Sequence, residues 1–166
     1  MPVKFQEIDS LEFVSTSRFK FIVPSLPVSD GRILAIVNGS VHLPTEGVAH
    51  VIKRVYGHPI GYRGGVTFEN VVTATFNEVA TGEVMKSLFA WLDLVRSRDY
   101  GTSRPKSYFA RFAQFELYTT SGETYKTIDL INMFPFNITW PEFAEQDGAV
   151  QYTVEFSVDR VYHQLA

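Results

Sequence analysis

Between Gly64 and Arg96 the apolar residues change their spacing from every second position to every third or fourth. From Val66 to Asn77 the chain alternates. Val66, Phe68, Val72, Ala74 and Phe76 share one face, and Thr67, Glu69, Thr73, Thr75 and Asn77 share the other, which predicts a strand. From about Gly82 the pattern becomes helical, with Thr81 as the expected N-cap and Glu83 near the positive end of the dipole. Val84, Leu88, Trp91, Leu92 and Val95 form one stripe, widened by Met85 and Phe89. A stripe this broad predicts a helix clamped by a sheet, with Trp91 in the core. A second alternating run closes the chain. Val150, Tyr152, Val154, Phe156, Val158 and Tyr162 oppose Gln151, Thr153, Glu155, Ser157 and Asp159.

The remaining segments read mostly as strands. Arg18–Val23 alternates and stops at Pro24. Ile33–His42 is a strand with apolar residues on both faces at its start, ended by Pro44. Val48–Tyr56 is β-branched with two mixed faces, and Gly57–Gly65, with four glycines and a proline, is expected to be a loop. Residues 98–107 form a polar loop. Tyr108–Tyr118 and Thr124–Phe134 are strands joined by a turn at Ser121-Gly122. Pro135 to Gly148 is expected to cross between strands. The sum is a mainly β chain of about seven antiparallel strands with one helix, a β-sandwich or half-open barrel. Its 166 residues suit a single domain, 1–166, with residues 1–17 as an N-terminal arm.

Charge and motifs exclude more than they suggest. The net charge is −3 with Lys and Arg scattered, which does not match the clustered positive charge of a tight nucleic-acid binder. There is no cysteine, hence no disulfide framework and no thiol nucleophile. The first residues lack the basic start and apolar run of a signal peptide, so synthesis in the cytoplasm is expected. His42, His50 and His58 are evenly spaced but too far apart for a common zinc motif. Gly57–Gly65 lacks both phosphate-loop patterns and precedes a strand. Glu142, Glu145 and Asp147 read as a solvated turn. No catalytic set and no cofactor site is expected.

The closing strand bears on assembly. It is long, regular and free of proline, with a polar second face that no lysine interrupts. At a sheet edge it would invite pairing with another copy, and head-to-tail pairing closes into a ring or continues as a filament. Leu43-Pro44 ends one strand, and Gly64-Gly65-Val66-Thr67-Phe68 leads into Val72-Thr73-Ala74-Thr75-Phe76-Asn77. A helix with Phe89-x-Trp91 follows, then Ile128-Asp129-Leu130, Phe134-Pro135 before Asn137, and Val154-Glu155-Phe156-Ser157-Val158-Asp159 before Tyr162. In this order and spacing, across residues 33–96 and 124–163, the chain resembles the tail tube proteins of contractile-tailed bacteriophages. The stretch before Arg18 and the segment 98–107 depart from that pattern.

The resemblance implies a structural protein of the virion tail. Copies would form hexameric rings that stack into a tube, in company with sheath, baseplate and tape-measure proteins. DNA would pass through without specific recognition, and no membrane insertion is implied. A neutral or acidic lining lets a duplex slide because it neutralises no phosphates. Two polar faces are candidates to line the lumen: Gln151, Thr153, Glu155, Ser157 and Asp159, and Thr67, Glu69, Thr73 and Thr75. The loop with Tyr56, His58, Tyr62 and Arg63 is the candidate for ring stacking. The alternatives are the tube of a type VI-like or extracellular contractile injection system, whose fold the resemblance shares, and a monomeric β-sandwich ligand-binding module.

Overall fold

A computed structural model describes residues 16–26, 34, 38–96, 104–141 and 148–165. The strands are β1 (Phe19–Ile22), β2 (Asn38–His42), β3 (Glu46–Val55), β4 (His58–Phe68), β5 (Val71–Asn77), β6 (Arg111–Tyr118), β7 (Thr124–Thr139), β8 (Gln151–Ser157) and β9 (Arg160–Leu165). The helices are α1 (Glu83–Arg96) and the single turn α2 (Lys106–Phe109). Seven strands form one antiparallel sheet in the order β1-β6-β7-β8-β5-β2, with β9 on β7, and β3 and β4 pair only with each other. The mainly β fold with one main helix is the one the alternation predicts.

The sheet folds over because β7 is long. Its first half lies between β6 and β9, and its second half pairs with β8. Between the halves, Asn132 takes a positive φ of 56°, a region Asn tolerates better than most residues. Pro135 then sits beside a register shift, where a missing N–H disturbs the ladder least. Two layers result, β1-β6-β7-β9 and β7-β8-β5-β2, and β1 comes back against β2.

The core fills the space between the layers. Phe21 of β1 stacks near Phe76 of β5 and Phe156 of β8, with ring centroids 6.2 and 6.1 Å away. Trp91 of α1 lies 5.7 Å from Phe156, and its indole N–H donates to the Phe109 carbonyl at 2.7 Å. Val84, Leu88, Trp91 and Leu92 are buried as the stripe predicts, with Ser87 beside them, while Val95 is half-buried and Met85 exposed. The helix start differs from expectation. Gly82 has φ 69°, and the Glu78 carboxylate accepts the N–H groups of Val79 and Met85 at 2.9 and 3.0 Å, the place expected for the Thr81 hydroxyl.

Several boundaries need correction. The Val66–Asn77 run is two strands broken at Glu69-Asn70, so Val66 and Phe68 leave the core face that Val72, Ala74 and Phe76 keep. The closing run is also two strands, broken at Val158-Asp159, where the two N–H groups donate to the carbonyls of Asn70 and Ile131. Only its second part, β9, is an edge; β8 lies between β7 and β5. The expected strand Ile33–His42 begins at Asn38, and Leu34 is helical and buried. Apolar residues on both faces do not distinguish the two conformations. The expected loop Gly57–Gly65 is a strand from His58 onward, part of β4, and only Gly57 lies in a turn. Tyr108 and Phe109 belong to α2, and β7 runs through Pro135. The arm up to residue 15, most of the loop 98–107 and residues 142–147 lie outside the described residues.

Candidate functional site: a neutral polar face and an exposed arm

The outer face of the β2-β5-β8-β7 layer is built by register. Val71, Thr73, Thr75 and Asn77 stand opposite Ser157, Glu155, Thr153 and Gln151, and on the far side Asn137 and Thr139 oppose Glu155 and Thr153. Ser40 and His42 of β2 complete the row against Thr75 and Thr73. Three side-chain hydrogen bonds cross it: the Ser40 and Thr75 hydroxyls at 2.7 Å, Gln151 donating to Asn77 at 3.1 Å, and Asn137 donating to Glu155 at 2.7 Å. Period-2 alternation puts this row opposite the core row of Tyr152, Val154 and Phe156. The strand segments that build it contain no Lys or Arg, and Glu155 is their only acid. The result is a lattice of hydroxyls and amides with one carboxylate and one imidazole. It offers hydrogen bonds to whatever passes but no cationic grip on phosphate.

Six of the nine proposed lining residues therefore meet on one surface: Gln151, Thr153, Glu155, Ser157, Thr73 and Thr75. The other three do not. Thr67 lies at the base of the β3–β4 arm, and Glu69 lies in the break between β4 and β5. Asp159 sits in the bend between β8 and β9, where it accepts from Lys106 and, at 2.9 Å, from Asn132. These two partners, Lys106 first, hold its carboxyl below the usual aspartate range. A lowered folded-state pKa stabilises the fold above the unfolded value, and that contribution is lost as pH falls through the carboxylate range. Asp159→Asn is expected to flatten the acid limb of a Tm-against-pH curve while leaving the neutral-pH fold intact. An unchanged limb would assign Asp159 no such role.

Sequence reading missed Ser40, His42, Asn137 and Thr139 on the same face. The alternation Ser40-x-His42 is visible but has no partner in the sequence to orient it. Asn137 and Thr139 fall beyond Pro135, where the strand is expected to stop.

The proposed stacking residues Tyr56, His58, Tyr62 and Arg63 lie on a two-stranded arm. Tyr56 and Gly57 form its tip with φ of 49° and 83°, the doubly positive turn that matches strand twist. The glycines of β4 allow close approach. A Cβ on Gly61 would come 2.3 Å from the His50 ring, and one on Gly64 2.8 Å from Ala49. His58 and Tyr62 share one face with Val51, Lys53, Val55 and Ile60, while Arg63 shares the other with His50, Ile52 and Arg54. Lys53 lies over the Tyr62 ring at 5.8 Å. Both faces are open to solvent: Tyr56 is 99% exposed, Ile52 61% and Val66 72%. At its base Glu69 N–H donates to the Thr45 carbonyl at 3.0 Å, continuing the arm's own ladder, and Glu46 meets His163 of β9 at 3.0 Å.

Among the described residues no group of three or more His, Asp or Glu is placed to hold a metal, and no helix is long and apolar enough to cross a membrane.

Solved structures carry this architecture. The chain superposes with a TM-score of 0.64 over 99% of its length, and 100% of the other chain, on a protein in the PVC sheath–tube complex of an extracellular contractile injection system, at 18% identity. The fold is that of contractile injection tube assemblies. A protein of the PVC sheath/tube terminator gives 0.67 at 18% identity, covering 93% of this chain and 99% of the other. One from the tube-terminating cap of the anti-feeding prophage gives 0.66 at 15%, covering 100% and 95%. No protein-family model and no curated protein sequence matches the chain.

Proposed function

We propose that this chain is the repeating subunit of the inner tube of a contractile tail-like apparatus. Copies close into hexameric rings, the rings stack, and the neutral polar face lines the bore. The observation that carries this reading is the arm. A two-stranded ribbon exposed on both faces is at best marginally stable alone. It displays Val51, Ile52, Val55, Ile60 and Tyr62, each an apolar side chain worth about 1.5–3 kcal/mol when fully buried. Such a ribbon is completed by neighbouring copies. β2 and β9, each with a single hydrogen-bonded partner among the described residues, offer open edges to the same end.

Sheath and baseplate proteins are the expected partners of the outer surface. The full-length likeness to chains of a sheath–tube complex and of the anti-feeding prophage baseplate supports that expectation. In a virion tail the cargo would be DNA, and a tape-measure protein would occupy the bore before ejection. The bore offers DNA no cation to bind. The second reading is an extracellular or type VI-like injection system with protein cargo. It is favoured by the source of the similar structures, and the neutral face suits it equally. A monomeric ligand-binding module would leave the arm without purpose.

Size-exclusion chromatography with light scattering, followed by negative-stain microscopy of concentrated protein, tests the proposal. Rings or hollow tubes are the expected result, and a monomer at every concentration and with every nucleating partner refutes it. Glu155→Lys then tests the bore. In assembled DNA-filled particles it is expected to leave tubes intact and slow release, because one added cation per subunit would hold phosphate. Unchanged release kinetics would remove Glu155 from the lumen.

A further inference from the structure

His42 is the one side chain of the polar face whose type changes charge near neutral pH. It is exposed on β2, at the margin of the layer, directly opposite Thr73 of β5. Thr73 stands opposite Glu155 and Glu155 opposite Asn137, so the row His42-Thr73-Glu155-Asn137 crosses four strands. Two strand spacings, about 10 Å, separate the backbones of His42 and Glu155. Glu155 accepts from Asn137, on the side of β8 away from β2. Among the described residues His42 has no ion pair and no side-chain hydrogen bond, whereas His163 faces Glu46, and His50 and His58 lie on the arm. β5 presents Thr73 and Thr75 to it and no charge. β1 also touches β2 and carries Lys20, which is set opposite Glu116 on the other side of its strand from buried Phe21. What surrounds His42 on the face is hydroxyl: Thr73 beside it, and the Ser40–Thr75 pair, 2.7 Å apart, one step along.

We propose that His42 is an acid-dependent contact for nucleic-acid phosphates, with the Thr73 hydroxyl as a second donor. With the imidazole neutral, Glu155 is the only charge on the face and a duplex slides over it. Imidazoles gain a proton between about pH 8 and pH 5, and an imidazolium donates from both ring nitrogens and carries the positive charge that phosphate binding needs. Glu155 lies about one Debye length away at ordinary ionic strength, so it offsets the new charge only in part. Bound phosphate favours the protonated ring, so the contact is present at low pH and is lost as pH rises. The proposal rests on the reading of this face as the bore lining and adds that the grip of the bore on its cargo is set by pH. One such contact is weak, but a ring of copies repeats it along the same duplex, and linked contacts multiply.

Two measurements test the contact and its place separately. In the dispersed wild-type subunit, NMR shifts are followed while a short DNA duplex is added at about pH 5.5 and about pH 7.5, either side of the ordinary imidazole range. Shifts at Ser40, His42 and Thr73 are expected at the lower pH alone. They are expected to vanish in His42→Gln, whose exposed position does not threaten the fold. Shifts confined to the arm, around His50, Lys53, Arg54 and His58, or shifts at His42 that persist at the higher pH, overturn the proposal. In assembled tubes, sedimentation measures how much labelled duplex is carried down. About tenfold more is expected at the lower pH, with the excess absent from His42→Gln tubes and from wild-type tubes at raised salt. Equal retention by wild-type and His42→Gln tubes removes the face from the bore, and the contact itself then stands or falls by the subunit titration. If the protein never assembles, the tube reading falls and the subunit titration alone decides the contact. Polyglutamate retained as strongly as the duplex would make His42 a general anion contact and overturn the assignment to phosphate.

Discussion

Shortening the arm is expected to abolish tube formation and leave the subunit folded. Removing residues 51–62 and joining His50 to Arg63 through an inserted Asn-Gly keeps a native cross-strand pair at a two-residue turn, the geometry that favours a hairpin. The deleted stretch pairs only within the arm, and all its large apolar side chains are exposed. The body core of Phe21, Phe76, Trp91 and Phe156 is untouched. Circular dichroism should show a Tm within a few degrees of wild type, while microscopy shows no stacked tubes at concentrations where wild-type protein forms them. Single rings are compatible with this outcome, since open edges β2 and β9 remain. Stacked tubes from the shortened chain would show that the arm is dispensable and would remove the main support for the proposed function.

The largest stability effect is expected at Phe156. It is fully buried, with Phe21, Phe76 and Trp91 at centroid distances of 6.1, 6.4 and 5.7 Å. Its strand β8 is hydrogen-bonded on both sides, to β5 and β7, so the backbone is poorly placed to collapse into the space left by truncation. Phe156→Ala is expected to cost about 3–5 kcal/mol, the range for a phenylalanine truncated in a core. For a chain of this size that lowers Tm by on the order of 10 °C. Denaturant unfolding of the dispersed subunit measures it. A loss of less than about 1 kcal/mol would mean that Phe156 is not at the junction of the layers. Together the two variants separate what holds one copy together from what joins copies.

Much of this is readable from residue spacing. The rows Val72-Ala74-Phe76 and Tyr152-Val154-Phe156 alternate, and each falls on the buried side of its strand as the alternation requires. Val84, Leu88, Trp91 and Leu92 recur at helical intervals, and the helix limits follow within a residue. Six residues of the polar face are identifiable because they alternate with the core residues of their own strands.

The three misplaced lining residues share one cause. Alternation continues through Glu69-Asn70 and Val158-Asp159 although the chain changes partner at both places. Thr67, Glu69 and Asp159 therefore read as members of a face they do not join. The β3–β4 arm alternates poorly and is rich in glycine because neither face meets a core. Glycine there serves close cross-strand approach to His50 and Ala49, which a single sequence does not distinguish from a flexible loop.

Within β5, β8 and α1, spacing along the chain was enough to sort most side chains into inward and outward, because that choice depends on neighbours two or four residues away. It was silent on which strand lies beside which, on β8 being central while β9 is an edge, and on the arm standing clear of the body. Those are settled by hydrogen bonds between segments far apart in the chain, such as Thr73 against Glu155 and Ile128 against His163, and become definite only when the two layers close over Phe156.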